Sequence, residues 1–256
     1  MDRLQSSIVI LLFAASTRCV KYFYAYVVFG LDAYRELPVA YRTMLINGTM
    51  LVLGLMMTWW FARRAKTTVA DLLGLNRNVA KAFLVASLCT LPMFLGGWLT
   101  SVVNEDAGLA MAFAGAIWPG FFEELIYRAM IAGLLMRVAK WPFVPAVLVS
   151  AVLFGWVHLY QADDMVSAVM VFMLTSLGGI GFALFYKFWN WNLWFPVFMH
   201  MFMNLSFVIF DMGNTALMNR NGNIFRAITL LLAIGATIYL SYRRRRLENA
   251  VLPLTK

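Results

Sequence analysis

The feature that most constrains this chain is its blocks of about twenty consecutive apolar residues, the length a helix needs to cross a bilayer. Such blocks recur along the whole 256 residues and are joined by short connections. Mean hydropathy is +0.76, and only 13% of residues are charged, where a soluble domain carries about 25%. Few strand-like alternations occur, which disfavours a β-barrel. The expected fold is all-α, a polytopic transmembrane bundle of about eight spans in one membrane-embedded domain over 1–256. The spans are placed at roughly 7–31, 43–62, 79–103, 108–136, 142–160, 165–188, 191–211 and 224–242. The connections between them carry breakers or charges, as in RRAKTT at 63–68, NEDAG at 104–108 and QADD at 161–164.

The net charge of +9 would suggest nucleic acid in a soluble protein. Here the positive-inside bias explains it, and no nucleic-acid partner is expected. With the N-terminus in the cytoplasm, the inner sites hold thirteen basic residues: Arg3, Arg63, Arg64, Lys66, Arg77, Lys81, Arg137, Lys140, Lys187 and Arg243 through Arg246. The outer sites hold four, Arg35, Arg42, Arg220 and Arg226. Both termini are therefore expected in the cytoplasm. The location would be the cell (inner) membrane in a bacterium. Arg3 followed by IVILLFAAS resembles a leader, but apolar sequence resumes at Cys19, so a signal anchor is expected. Cys19 and Cys89 lie in different blocks, and no disulfide is expected. The RRRR run after the last span reads as a stop and headgroup anchor.

Ionisable side chains inside a bilayer are costly and are functional-site candidates by default. FFEELIYR at 121–128 puts Glu123, Glu124 and Arg128 in the middle and cytoplasmic half of the fourth span. The chain has two histidines, His158 and His200, and both fall in spans. Asn204 follows His200 by four residues, and Phe154 precedes His158 by four, so each pair shares a helix face. Glu124 and Arg128 are i and i+4 in the favourable order for a helical ion pair. Glu123 lies about 100° further round, so Arg128 neutralises Glu124 while Glu123 faces elsewhere. A carboxylate in an apolar site suits a general base acting on water. An imidazole can share that water or its proton, and a second imidazole with an amide suits an oxyanion clamp. Phe154 reads as packing that sets the rotamer of His158. Arg18 and Lys21 share one face of the first span. They read as snorkelling or as members of an interior ion pair, with substrate-carboxylate binding as the functional alternative.

EExxxR at 123–128, FxxxH at 154–158 and HxxxN at 200–204, in this order on successive hydrophobic segments, resemble the CPBP family. These are the CaaX-protease and bacteriocin-processing (Abi) intramembrane glutamic endopeptidases. The motifs lie in a core of about 108–211, while spans 1–103 and the last span 224–242 with its basic tail carry none. The resemblance implies an all-helical bundle with a cavity in the membrane that opens to the cytosol. It implies that Glu123 activates water with help from His158, and that His200 and Asn204 form the oxyanion hole. Glu124 and Arg128 would support the site. No cofactor and no metal are implied. The substrate would be a membrane-associated protein or peptide, lipidated in the CaaX branch of the family. Three other readings compete. One is a zinc protease using two histidines and a glutamate, although HExxH is absent. Another is a proton-relay transporter, although no inverted repeat is evident. The third is a non-proteolytic immunity or scaffold protein.

Overall fold

A computed structural model describes residues 2–213 and 215–251. It is helical throughout. Among the described residues the only extended pairing is one isolated antiparallel bridge, Val103 to Phe210. Among the described residues seven helices are long and apolar enough to cross a membrane: α1 (Arg3–Val28), α2 (Tyr41–Ala65), α3 (Val79–Thr100), α4 (Leu109–Arg137), α5 (Phe143–Gln161), α6 (Met165–Phe188) and α8 (Arg220–Leu247). The expected span 191–211 is a shorter apolar helix, α7 (Trp194–Ile209). Its 16 residues rise about 24 Å, against about 30 Å of hydrocarbon. Two local causes shorten it. Asn190 and Trp191 both take left-handed backbone with φ 58°, which delays the start. Phe210 is extended and joins the bridge, which forces the stop.

The chain gathers into two compact units, residues 1–76 with 121–183, and residues 77–120 with 184–256. In the first unit, α1 begins at an Asp2 cap, whose carboxylate accepts from the Leu4 amide at 3.2 Å. Ser7 Oγ bonds back to the Arg3 carbonyl at 2.8 Å, so these early polar groups are satisfied within the helix, as hydrocarbon demands. Gly54 on α2 allows close packing against α1 and α4. A Cβ there would stand 2.3 Å from Met130 Sδ and 2.9 Å from the Phe13 ring. On α6 the SLGGIG run does not break the helix. Its Gly179 lies against the Ala151 backbone of α5, where a Cβ would sit 3.4 Å from Cα. A side chain would fit there in ordinary contact; the close approach of α5 and α6 is at Gly155, where a Cβ would stand 3.0 Å from the Phe172 carbonyl oxygen. The start of α6 is capped reciprocally. The Ser167 amide donates to Asp164 Oδ1 at 2.7 Å, and the Asp164 amide donates to Ser167 Oγ at 3.0 Å. The bonds that the carboxylate accepts from the Ser167 amide and hydroxyl hold it below the usual range.

The second unit is built on α3, α7 and α8. Gly97 of α3 faces the Phe210 ring and Gly96 faces Phe225. The connection before α7 is pinned at three places. Trp189 stacks on Phe195 at 3.8 Å, its Nε1 donates to Thr237 at 2.9 Å, and Asn192 donates to the Asn78 carbonyl at 3.1 Å.

Candidate active site

The first unit contains five of the seven candidate site residues. They lie where α4 and α5 face one another. At Glu123 the backbone of α4 changes. Trp118–Glu123 is α-helical, and Glu124–Gly133 is a ten-residue π-helix. A π segment is a rare, wider turn that recurs at functional sites. Every residue from Glu124 to Gly133 is buried. One backbone group in it has a side-chain partner from α5: Ser150 Oγ donates to the Tyr127 carbonyl at 2.6 Å. Ser150→Ala leaves that carbonyl short of a partner in an apolar setting. It should lower stability by roughly 1–3 kcal/mol, read as a lower unfolding midpoint in detergent.

The i, i+4 pair forms as its spacing predicts. Arg128 Nε stands 3.1 Å from Glu124 Oε2, with the two side chains 1% and 0% exposed. The guanidinium also lies over two rings, Phe154 at 4.0 Å and Phe182 at 5.5 Å. A buried cation gains from such faces. Phe154 thus does more than pack: its ring carries Arg128 on one side and meets the His158 ring at 4.4 Å. It also packs edge-on to Tyr127 at 5.2 Å.

His158 stands at the end of the α-helical part of α5, which tightens into a 3-10 turn over His158–Gln161. Its Nδ1 is 2.7 Å from the Phe154 carbonyl. A carbonyl only accepts, so Nδ1 carries the proton, and in the neutral ring Nε2 presents its lone pair. That Nε2 is 3.9 Å from Glu123 Oε2, with His158 13% and Glu123 26% exposed. Both facing atoms are acceptors. Two hydrogen bonds of about 2.8 Å from one water span a gap of this size, so the pair suits a shared water that donates to each.

His200 and Asn204 belong to the second unit. They lie one turn apart on α7, as their spacing predicts, and both are half-buried.

Three features of the site escape the motif spacing. The π turn has no sequence signature here. Phe182 comes from α6, outside every motif. Arg18 of α1 lies over the Trp156 ring at 5.0 Å, and Thr17 hydrogen-bonds the Tyr127 hydroxyl, which feels the charges of both Arg18 and Glu123. Among the described residues Arg18 makes no ion pair, and its Nε is buried without a hydrogen bond. The cation expected to snorkel or pair therefore stacks beside the site.

Residues 104–206 match the family described as Type II CAAX prenyl endopeptidase Rce1-like. The likeness spans 104–206, less than half of the chain. The match covers all three motifs and agrees with the CPBP resemblance. The likeness is to a family of proteases, peptide hydrolases, and the seven candidate spans are those of an integral multi-pass membrane protein. Proteases of that family imply a membrane-associated protein as substrate. No curated protein and no solved structure matches the chain.

Proposed function

We propose that the protein is an intramembrane endopeptidase in which Glu123 activates water against a peptide carbonyl. The observation that carries this reading is the facing of Glu123 and His158 at 3.9 Å, with the imidazole's tautomer set by the Phe154 carbonyl. Water bound between them gives its proton to Glu123 as its oxygen bonds to the carbonyl carbon. The tetrahedral oxyanion then collapses, the C–N bond breaks, and the amine leaves with a proton returned from Glu123. His158 holds the water through Nε2 and stabilises the proton in transit. His200 and Asn204 are assigned to the oxyanion on the family resemblance, where a removed donor costs about 10²–10³ in rate. Glu124 and Arg128 hold α4 in place without touching the reacting atoms. The N-in, C-in topology rests on the thirteen-to-four basic count.

Comparative peptidomics tests the reading. Membranes carrying the wild type are set against membranes carrying Glu123→Ala at matched protein levels. A new peptide terminus found only with the wild type is expected. Identical termini, with the phenotype of the cell still supported by Glu123→Ala, would assign the protein to binding or immunity instead.

A further inference from the structure

In the second unit, the Arg243–Arg246 end of α8 borders a cavity of about 310 Å³. Small-ligand sites begin at about that size, running from about 300 to 1,000 Å³. Three cations line it: Lys81 from the first turn of α3, with Arg243 and Arg244 of α8. Lys81 and Arg243 are exposed, and Arg244 is half-buried. Among the described residues no carboxylate lines the cavity. Among the same residues neither the Lys81 nor the Arg243 side chain makes an ion pair or a hydrogen bond. Like charges gathered without a counter-charge favour an anion between them.

The walls of the cavity are fixed by their own hydrogen bonds. The Trp189 ring lines it, and its Nε1 donates to Thr237, another lining residue, at 2.9 Å. Thr237 in turn donates to the Ala233 carbonyl at 2.7 Å. Ser241 donates to the Phe188 carbonyl at 3.2 Å, so both aromatic residues at the end of α6 are tied to α8. The Lys81 ammonium stands over the Trp189 ring, 5.9 Å from its centre. Phe188 and Leu247 continue the wall as an apolar flank, 38% and 60% exposed.

Helical phase decides which arginines take part. Thr237, Leu240, Arg244 and Leu247 line the cavity, and at about 100° per residue they share one face of α8. Arg245 and Arg246 turn away from that face, and the Arg246 guanidinium lies instead over the Tyr242 ring at 5.2 Å. A diffuse basic anchor would weigh all four arginines alike. This cavity takes two of them and adds a lysine from another helix. Basic pockets between spanning helices suit lipid headgroups, and tryptophan belongs at that level of a bilayer. A free phosphate would use the cations but leave the apolar flank uncovered.

We propose that this cavity is a site for one anionic phospholipid. Its headgroup phosphate lies among Lys81, Arg243 and Arg244, and its chains run along Phe188 and Leu247. The site is separate from the Glu123–His158 chemistry, since every residue in it belongs to the second unit. The bound lipid braces Trp189, on which Phe195 of α7 stacks at 3.8 Å.

Binding is read on the full chain in a neutral detergent, by native mass spectrometry during titration with dioleoylphosphatidylglycerol. The wild type should retain one lipid. Lys81→Gln combined with Arg243→Gln should weaken that lipid about 30-fold, the worth of two cations beside an anionic headgroup. Arg245→Gln combined with Arg246→Gln removes the same charge and should bind as the wild type does. Equal loss in the two pairs overturns the proposal and leaves the basic run a diffuse anchor. Unchanged binding in the Lys81, Arg243 pair overturns it too, and Lys81→Gln alone gives the same reading if the pair folds poorly. Zwitterionic dioleoylphosphatidylcholine should bind far more weakly, and equal affinity would overturn the headgroup contact. Inorganic phosphate at millimolar concentration should leave the lipid in place. Its displacement of the lipid would overturn the phospholipid and leave a site for free phosphate.

Discussion

Glu123→Gln should abolish cleavage while the protein inserts, folds and elutes as the wild type does. The amide keeps the size and polarity of the carboxylate but cannot take a proton from water. Positioned proton transfer is worth about 10²–10⁴ in rate, so a loss of about 10²–10⁴-fold is expected in turnover of any peptide found by terminal peptidomics. His158→Ala should fall in the same range. The double variant should be little worse than either single one, because the two groups act on one water. Undiminished turnover by Glu123→Gln would remove Glu123 from the chemistry. A near-normal rate in His158→Ala would instead leave Glu123 to act alone.

Glu124 and Arg128 should behave in the opposite way, through stability first. Both are essentially inaccessible, 0% and 1% exposed. Either charge left alone in that setting is strongly destabilising, by about 3–5 kcal/mol for a broken buried pair. Glu124→Gln and Arg128→Met should each lower the unfolding midpoint in detergent and reduce the folded yield. Arg128→Met also vacates the faces of Phe154 and Phe182, so it should be the more damaging. The double variant replaces the pair by neutral groups of similar bulk and should recover much of the loss. Equal damage in the double variant and the worse single one would mean that the pair matters for something other than mutual neutralisation.

The parts of this architecture that the sequence announces are those governed by periodicity and cost. Apolar blocks long enough for a bilayer become helices because no other structure satisfies the backbone there. The Glu124–Arg128 contact follows from four-residue spacing, and Glu123 turning away from it follows from helical phase. The pairing of Glu123 with His158 was legible only as an expectation that costly polar groups gather. Nothing in either motif specifies the turn that brings the end of α5 to the middle of α4. The π segment was not legible at all, since Glu124–Gly133 reads as ordinary helix. The left-handed pair Asn190–Trp191, which shortens α7, is also hidden, because tryptophan gives no signal for that conformation. His200 and Asn204 share a face as expected, but their chemical role is carried by the resemblance.

The ten-residue π segment acts as a phase shifter in α4. An ordinary helix turns about 100° per residue, so the direction of each side chain is locked to its distance along the chain. Wider turns relax that lock. The portion of α4 after Gly133 can present Leu134 and Leu135, both fully buried, to its neighbours without fixing where Glu123 points. A segment of this kind has the length of α helix plus surplus residues. Deleting one residue between Ala129 and Gly133 would tighten the turns and rotate the carboxylates relative to the Leu134–Arg137 end of the span, with no change in composition worth noting. Substitution scans would miss this coupling. Single-residue deletions through the segment would expose it, with function lost in steps while the span still inserts.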